Sequence, residues 1–327
     1  MKINLNEKEI SQYGYYLDTL ENTIDEADYF NDILANGYQV KKSIEPFRID
    51  LLNEKEYLSN PYYKTVKPTK KKIGNVTLTY DKYLPKQGFV YDEIVITDPF
   101  FQERTPFGFF KNEFPYLALK ENDVTWMSVT PHEINTMKDS ISKARGHVIT
   151  LGLGLGYYSF MVSNKDDVSK VTIVEMNQKV IDIFKQEILP FFPHKEKIEI
   201  IKDDAFKYLD KEIEGDYLFA DLWHLPEDGL PMYAKIANLE KKNPQIKFEY
   251  WIEKSMLTLI RRAIIILIDE EMNGADDEDY KEESTFSDHL INQTHFVLKD
   301  KELNSLKDID DLLSFPSLKE IAKKINF

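Results

Sequence analysis

The chain has 327 residues, 42% hydrophobic and 30% charged, the balance of an ordinary soluble globular protein with core enough for more than one domain. A formal net charge of −15 disfavours long nucleic acid as a partner, since its only compact basic cluster, Lys67, Lys70, Lys71 and Lys72, reads as a solvated linker. The absence of cysteine excludes disulfides, thiolate metal sites and a cysteine nucleophile.

The first residues lack the apolar core of a signal peptide, and the longest purely aliphatic run, 263–268, is far too short for a bilayer. A cytoplasmic protein without membrane contact is expected. Over residues 1–60, Tyr16, Leu17, Leu20, Ile24, Ala27, Tyr29 and Phe30 recur at helical spacing. The stretch 59–72, with Pro61 and Pro68, reads as a linker, which makes 1–72 a helical N-terminal segment. Residues 73–130 change to short β-like runs, 76–80, 93–97, 116–119 and 124–127, and are expected to form a small β-domain. The aromatic stretch from Phe100-Phe101 to Phe109-Phe110, with Arg104, suits either the core of that domain or a lid, the core being favoured.

At Thr130-Pro131-His132-Glu133 a helix begins, with Thr130 as cap, proline in the first turn and Glu133 placed for a capping box. Residues 131–272 are then expected to form a cofactor-binding domain. An apolar strand, 147–151, runs into Gly152-Leu153-Gly154-Leu155-Gly156. Further strands, 171–174, 198–201 and 217–220, end at Glu175, at Asp203-Asp204-Ala205-Phe206 and at Asp221. Apolar positions from Phe248 to Ile268 predict one long amphipathic helix over 246–272, which suits an interface between copies as well as a core. Residues 273–287 read as an acidic loop and the rest, to 327, as a helical tail; only 294–298 has strand character there.

In an open parallel sheet the carboxyl ends of the strands form the ligand crevice, and here each carries an acid or a glycine turn. Glycine lets backbone approach a ligand, and the helix that follows offers free N–H groups. The spacing is G-x-G-x-G; Tyr157 stands where a dinucleotide fingerprint has its last glycine, and no P-loop lysine follows. Glu175, 19 residues after Gly156, is placed to accept hydrogen bonds from ribose hydroxyls. Asp204 and Ala205 suit the amino group and face of an adenine, or Asp204 simply caps the next helix. Asp221 and, beyond it, His224 are the candidate catalytic residues, able to orient an acceptor or take its proton. Trp223, Tyr157 and Tyr158 could present ring faces to a sulfonium, though core packing is the better reading for each. No metal site is assigned.

In this order the glycine turn, ribose acid, Asp204-Ala205-Phe206 and strand-end Asp221 resemble a class I S-adenosylmethionine-dependent methyltransferase, and within that group the spermidine synthase branch. The hairpin 116–127 and the helix glutamate after His132 match that branch, and the resemblance spans about residues 75–245. It implies an α/β, Rossmann-like sheet with helices on both faces, S-adenosylmethionine as cofactor, and Gly152, Gly154, Gly156, Glu175, Asp204, Ala205 and Asp221 around it. The chain departs in several places. Thr150 stands where many methyltransferases have an acid, Val124-Thr125-Trp126-Met127-Ser128 replaces the polyamine-binding hairpin residues, and Leu222-Trp223-His224 replaces Ser-x-Asp-Pro. With helix expected over 246–272, the sheet is expected to be shortened. Three readings stay open: methyl transfer to a small-molecule acceptor, aminopropyl transfer, and binding of an adenosyl ligand without turnover.

Overall fold

The structure is a computed structural model that describes residues 1–14, 49–97, 101–273 and 284–327. The helical reading on Tyr16 to Phe30 lies outside the described residues, as do Phe100 and most of the acidic stretch, 274–283.

Five strands make the central sheet: β1 (Gly146–Leu151), β2 (Val168–Glu175), β3 (Ile198–Lys202), β4 (Tyr217–Ala220) and β5 (Lys247–Tyr250). All pair parallel, in the order β3-β2-β1-β4-β5. The inner strands are near-continuous apolar runs because helices cover both of their faces. Val148, Ile149 and Leu151 of β1 have no exposed surface, nor do Val171 and Ile173 of β2. Each such side chain contributes about 1.5–3 kcal/mol on burial. From β1 the chain first moves outward through β2 and β3, then crosses back to β4 and β5. With right-handed crossovers, that reversal sends the connecting helices to opposite faces and opens a crevice at the carboxyl ends of β1 and β4. This is a Rossmann-like parallel sheet that has five strands among the described residues.

Two sequence expectations fail here. The predicted helix over 246–272 is instead strand β5 followed by the helix Glu253–Asn273. The break falls at Ile252, whose φ of +47° no helix accepts. Residues 294–298 are not a strand; they end the helix Phe286–Leu298, which packs along Glu253–Asn273. The helix Glu253–Asn273 buries Met256, Leu257, Ile260, Ile264 and Ile268 in the chain's own core.

Among the described residues before β1 there are three small sheets, one of them the two-stranded pair Val95–Thr97 and Gln102–Arg104. Val124–Ser128, Phe114–Glu121, Val76–Tyr83 and Lys71–Ile73 make another, wholly antiparallel. Ile49–Leu52, within the stretch read as helical, instead pairs parallel with Phe107–Phe110, which also pairs with Gly88–Val90. Phe110 stacks on Phe114 at 4.4 Å, and Phe89 on Tyr83 at 4.0 Å. Phe107 and Phe110 are therefore core, and Phe101 lies against Arg261. The stretch read as a linker holds the helix Pro61–Thr65, capped by the Asn60 side chain. Among the described residues no helix is long and apolar enough to cross a membrane.

Candidate functional site

The glycine turn is built from the ends of β1, β2 and β4. The Gly152 N–H donates to the Val174 carbonyl and the Asp221 N–H to the Leu151 carbonyl, both at 2.9 Å. Gly152 has φ +94°, and a Cβ there would lie 2.0 Å from the Asp221 carbonyl oxygen. At Gly156, φ +71°, a Cβ would meet the Phe184 ring at 2.4 Å. The first and third glycines are thus demanded by the protein's own packing. Gly154 differs: at φ +53°, a Cβ would meet only Met127 Sδ, at 3.7 Å, an ordinary contact. Its backbone borders the space left between the turn and the hairpin.

That space is a cavity of about 210 Å³ between the turn, the carboxyl end of β4 and the hairpin strand Val124–Ser128. Gly152, Gly154, Gly156, Asp221 and His224 line it, with Glu133 from the helix Pro131–Thr136. Trp223, Tyr157 and Tyr158 line it too, but they are buried and engaged elsewhere. Trp223 Nε1 donates to the Trp251 carbonyl, Tyr157 Oη accepts from Asn60 Nδ2, and Tyr158 stacks on Phe219 at 4.0 Å. Tyr62 clasps the turn from outside, its hydroxyl donating to the Leu155 carbonyl at 2.6 Å.

Glu133 and Asp221 are a pair of acids in one enclosure. Burial pushes the Asp221 carboxyl up to about 7. Burial and the neighbouring Asp221 charge hold Glu133 well above the usual carboxylate range. The sequence reading of Glu133 as a cap is corrected. The N-cap Thr130 makes no side-chain capping bond, and Glu133 turns to the cavity instead. Beside it, burial pushes His132 down to about 4, so this ring is neutral.

At the mouth, His224 Nδ1 lies 3.3 Å from Asp228 Oδ2. An ionised carboxylate only accepts, so in the neutral ring Nδ1 carries the proton and Nε2 is left as the acceptor. The Asp228 oxygens also take the backbone N–H groups of His224 and Leu225, at 3.2 and 2.7 Å. The Trp126 ring meets His224 edge-on at 3.9 Å. Trp126 sits where the hairpin register shifts between Thr125 and Met127, a bulge that re-aims its side chain.

Outside the cavity lining stand the ends of β2 and β3. Glu175 is 8% exposed and accepts from the N–H groups of Leu153 and Asn177, at 3.2 and 2.7 Å. Burial raises its pKa against those hydrogen bonds. It braces the glycine turn from β2 but is not among the cavity-lining residues. Asp204 caps the helix Ala205–Leu209, accepting from Phe206 and Lys207 N–H groups at 2.9 and 3.0 Å, and Ala205 is buried. The structure therefore gathers the glycines, Asp221 and His224 at one cavity and sets Glu175, Asp204 and Ala205 along the neighbouring strand ends. Sequence reasoning missed the Glu133–Asp221 pairing, the walls given by Trp126, Met127 and Trp251, and the Asp228 brace. Only the last had a usable signal, the four-residue spacing from His224. Among the described residues no group of three or more His, Asp or Glu is placed to hold a metal ion.

No family profile matches the chain, and neither does any curated protein. Solved structures with a similar fold include precorrin 8w decarboxylase of Methanobacterium thermoautotrophicum, at 15% identity and TM-score 0.30, covering 37% of this chain and 63% of that one. Spermidine synthase of Thermotoga maritima shares 14% identity at TM-score 0.31, over 42% of this chain and 52% of that one. The 23S rRNA methyltransferase ErmE shares 16% at TM-score 0.26, over 38% and 55%. The chain thus spans between about half and two thirds of each of these proteins. Sheet order and the glycine turn, rather than these partial likenesses, carry the fold assignment.

Proposed function

We propose that the chain is an S-adenosylmethionine-dependent transferase, in the first place a methyltransferase acting on a small-molecule acceptor in the cytoplasm. One observation carries this reading: the acids Glu133 and Asp221 share an aromatic-walled cavity with the backbone of a glycine turn at the carboxyl ends of β1 and β4. The residues fit the cofactor. Gly154 leaves room above its backbone, and each Glu175 oxygen, with one N–H bond apiece, keeps acceptor capacity for ribose hydroxyls. Asp204 and Ala205 would flank the base.

When bound, S-adenosylmethionine supplies a methyl group already activated on a sulfonium. The chain's own work is alignment and exclusion of water. Aromatic walls and paired acids favour a cation in the cavity. Asp221, or His224 through Nε2, holds or takes the acceptor's proton. The reading is tested by titrating the protein calorimetrically with S-adenosylmethionine, its demethylated product and the decarboxylated cofactor. Binding of the first two supports methyl transfer, and binding of none removes every adenosyl reading.

A specific observation favours aminopropyl transfer as the second reading. No lysine or arginine lines the cavity, so a cofactor carboxylate would meet no cationic side chain there. Tightest binding of the decarboxylated form would establish that reading over the first.

A further inference from the structure

We infer that the cavity selects an amine with a single charged head and an apolar body, the head against Glu133 and Asp221 and the body leaving past Trp126. That this amine is the transfer acceptor rests on the function proposed above; that it binds does not.

The first ground is charge. Glu133 and Asp221 are the only acids among the lining residues, and no lysine or arginine balances them. Two carboxylates in one enclosure cannot both ionise cheaply, and a cation is what relieves them. The remaining buried titratable groups around the pair offer no positive charge. His132, on the same helix, is held neutral, and the Tyr157 and Tyr83 hydroxyls, which feel the Glu133 charge, are pushed up by burial. His224, at the mouth, already gives its Nδ1 to Asp228.

The second ground is number. A diamine needs a second acid further out, and the lining holds none beyond Glu133 and Asp221. Asp228, outside the lining, turns Oδ2 to the His224 N–H and ring and Oδ1 to the Leu225 N–H. The third ground is the exit. Met137, Phe219 and Trp251 line the interior, while Trp126, also in the lining, is 45% exposed. An apolar body leaving past Trp126 would take that ring's exposed surface out of water.

The test is calorimetric titration with hexylamine, putrescine and 1-hexanol at pH 7.5, on the free protein and on protein mixed with 5′-methylthioadenosine, which has no amino-acid tail. Hexylamine should bind at least about tenfold more tightly than either of the others. It should displace the proton shared by the acids, so that the measured heat changes with the ionisation enthalpy of the buffer. Glu133→Gln should weaken hexylamine by about tenfold or more and abolish the buffer dependence, and Asp221→Asn should do the same. The inference is overturned if 1-hexanol or putrescine binds as well as hexylamine, or if neither variant changes its affinity. Hexylamine binding to a protein that takes up no adenosyl ligand would sustain this site and sink the transferase reading. Adenosyl binding without hexylamine binding would do the reverse.

Discussion

Replacing Asp221 by Asn should stabilise the ligand-free protein, and more so as pH rises. In the folded chain burial lifts this carboxyl from 3.8 to about 7. A carboxyl with a raised folded pKa is fully favourable below its unfolded value and loses stability as pH climbs through the folded one. Between those values the unfolded chain has released a proton that the folded chain still holds. At about 1.36 kcal/mol per unit, the loss is roughly 2 kcal/mol at pH 5 and roughly 4 kcal/mol at pH 8. Asn cannot ionise, so its advantage over the parent should widen by about 3 kcal/mol between those pH values, counted before rounding. Unfolding entropy of about 2.1 cal/mol/K per residue turns this into about 4 °C of melting temperature for a chain of 327 residues. The assay is a thermal melt of parent and variant at pH 5 and pH 8 in matched salt. An unchanged gap, or one that narrows at pH 8, would refute the idea that Asp221 is a desolvated acid without a cation.

The glycine turn separates packing from ligand approach. Gly152→Ala should cost at least 3 kcal/mol, on the order of the largest single-site losses, because its Cβ would overlap the Asp221 carbonyl. Gly154→Ala should cost only about 1 kcal/mol in backbone strain while weakening adenosyl-ligand binding; melts and calorimetry on both variants check this. Glu175→Ala should weaken S-adenosylhomocysteine by about 1–3 kcal/mol, and an unchanged dissociation constant would remove Glu175 from the site. Arg262 holds the buried Glu103 carboxylate through Nε and Nη2 at 2.9 and 2.7 Å, so Arg262→Ala should destabilise by about 3–5 kcal/mol. The double variant Arg262→Met with Glu103→Met should recover most of that loss in denaturant titrations.

Much of the central sheet was legible because its strands obey one rule. Runs such as Val148-Ile149-Thr150-Leu151 and Tyr217-Leu218-Phe219-Ala220 are apolar on both faces and end at a glycine turn or an acid. β5 was not legible. Its Lys247-Phe248-Glu249-Tyr250 is an edge strand with alternating polarity, and Phe248, Trp251-Ile252 and Met256 happen to fall at helical spacing. Nothing local announces the turn at Ile252, a β-branched residue forced to positive φ by its surroundings. Thr294-His295-Phe296-Val297-Leu298 has strand composition but is helical, since docking on Glu253–Asn273 overrides a weak preference. At the site, the individual acids were visible and their meeting was not. Glu133 and Asp221 are 88 positions apart, and only the tertiary fold brings them to one cavity.

Among the described residues no strand pairs with the outer side of β5, which leaves a rail of amide and carbonyl groups there. Such a rail recruits strands from other molecules unless it is defended. Lys247 and Glu249 alternate along it, ion-paired at 2.9 Å, and the Tyr250 hydroxyl is anchored to Glu240 at 2.5 Å. Lys319 and Lys323 of the C-terminal region line a groove with Phe248 and Tyr250 and add charge beside the strand. A sheet this short can therefore stay dispersed in solution: a stacked neighbour would have to strip water from those ammonium and carboxylate groups before gaining a single amide bond.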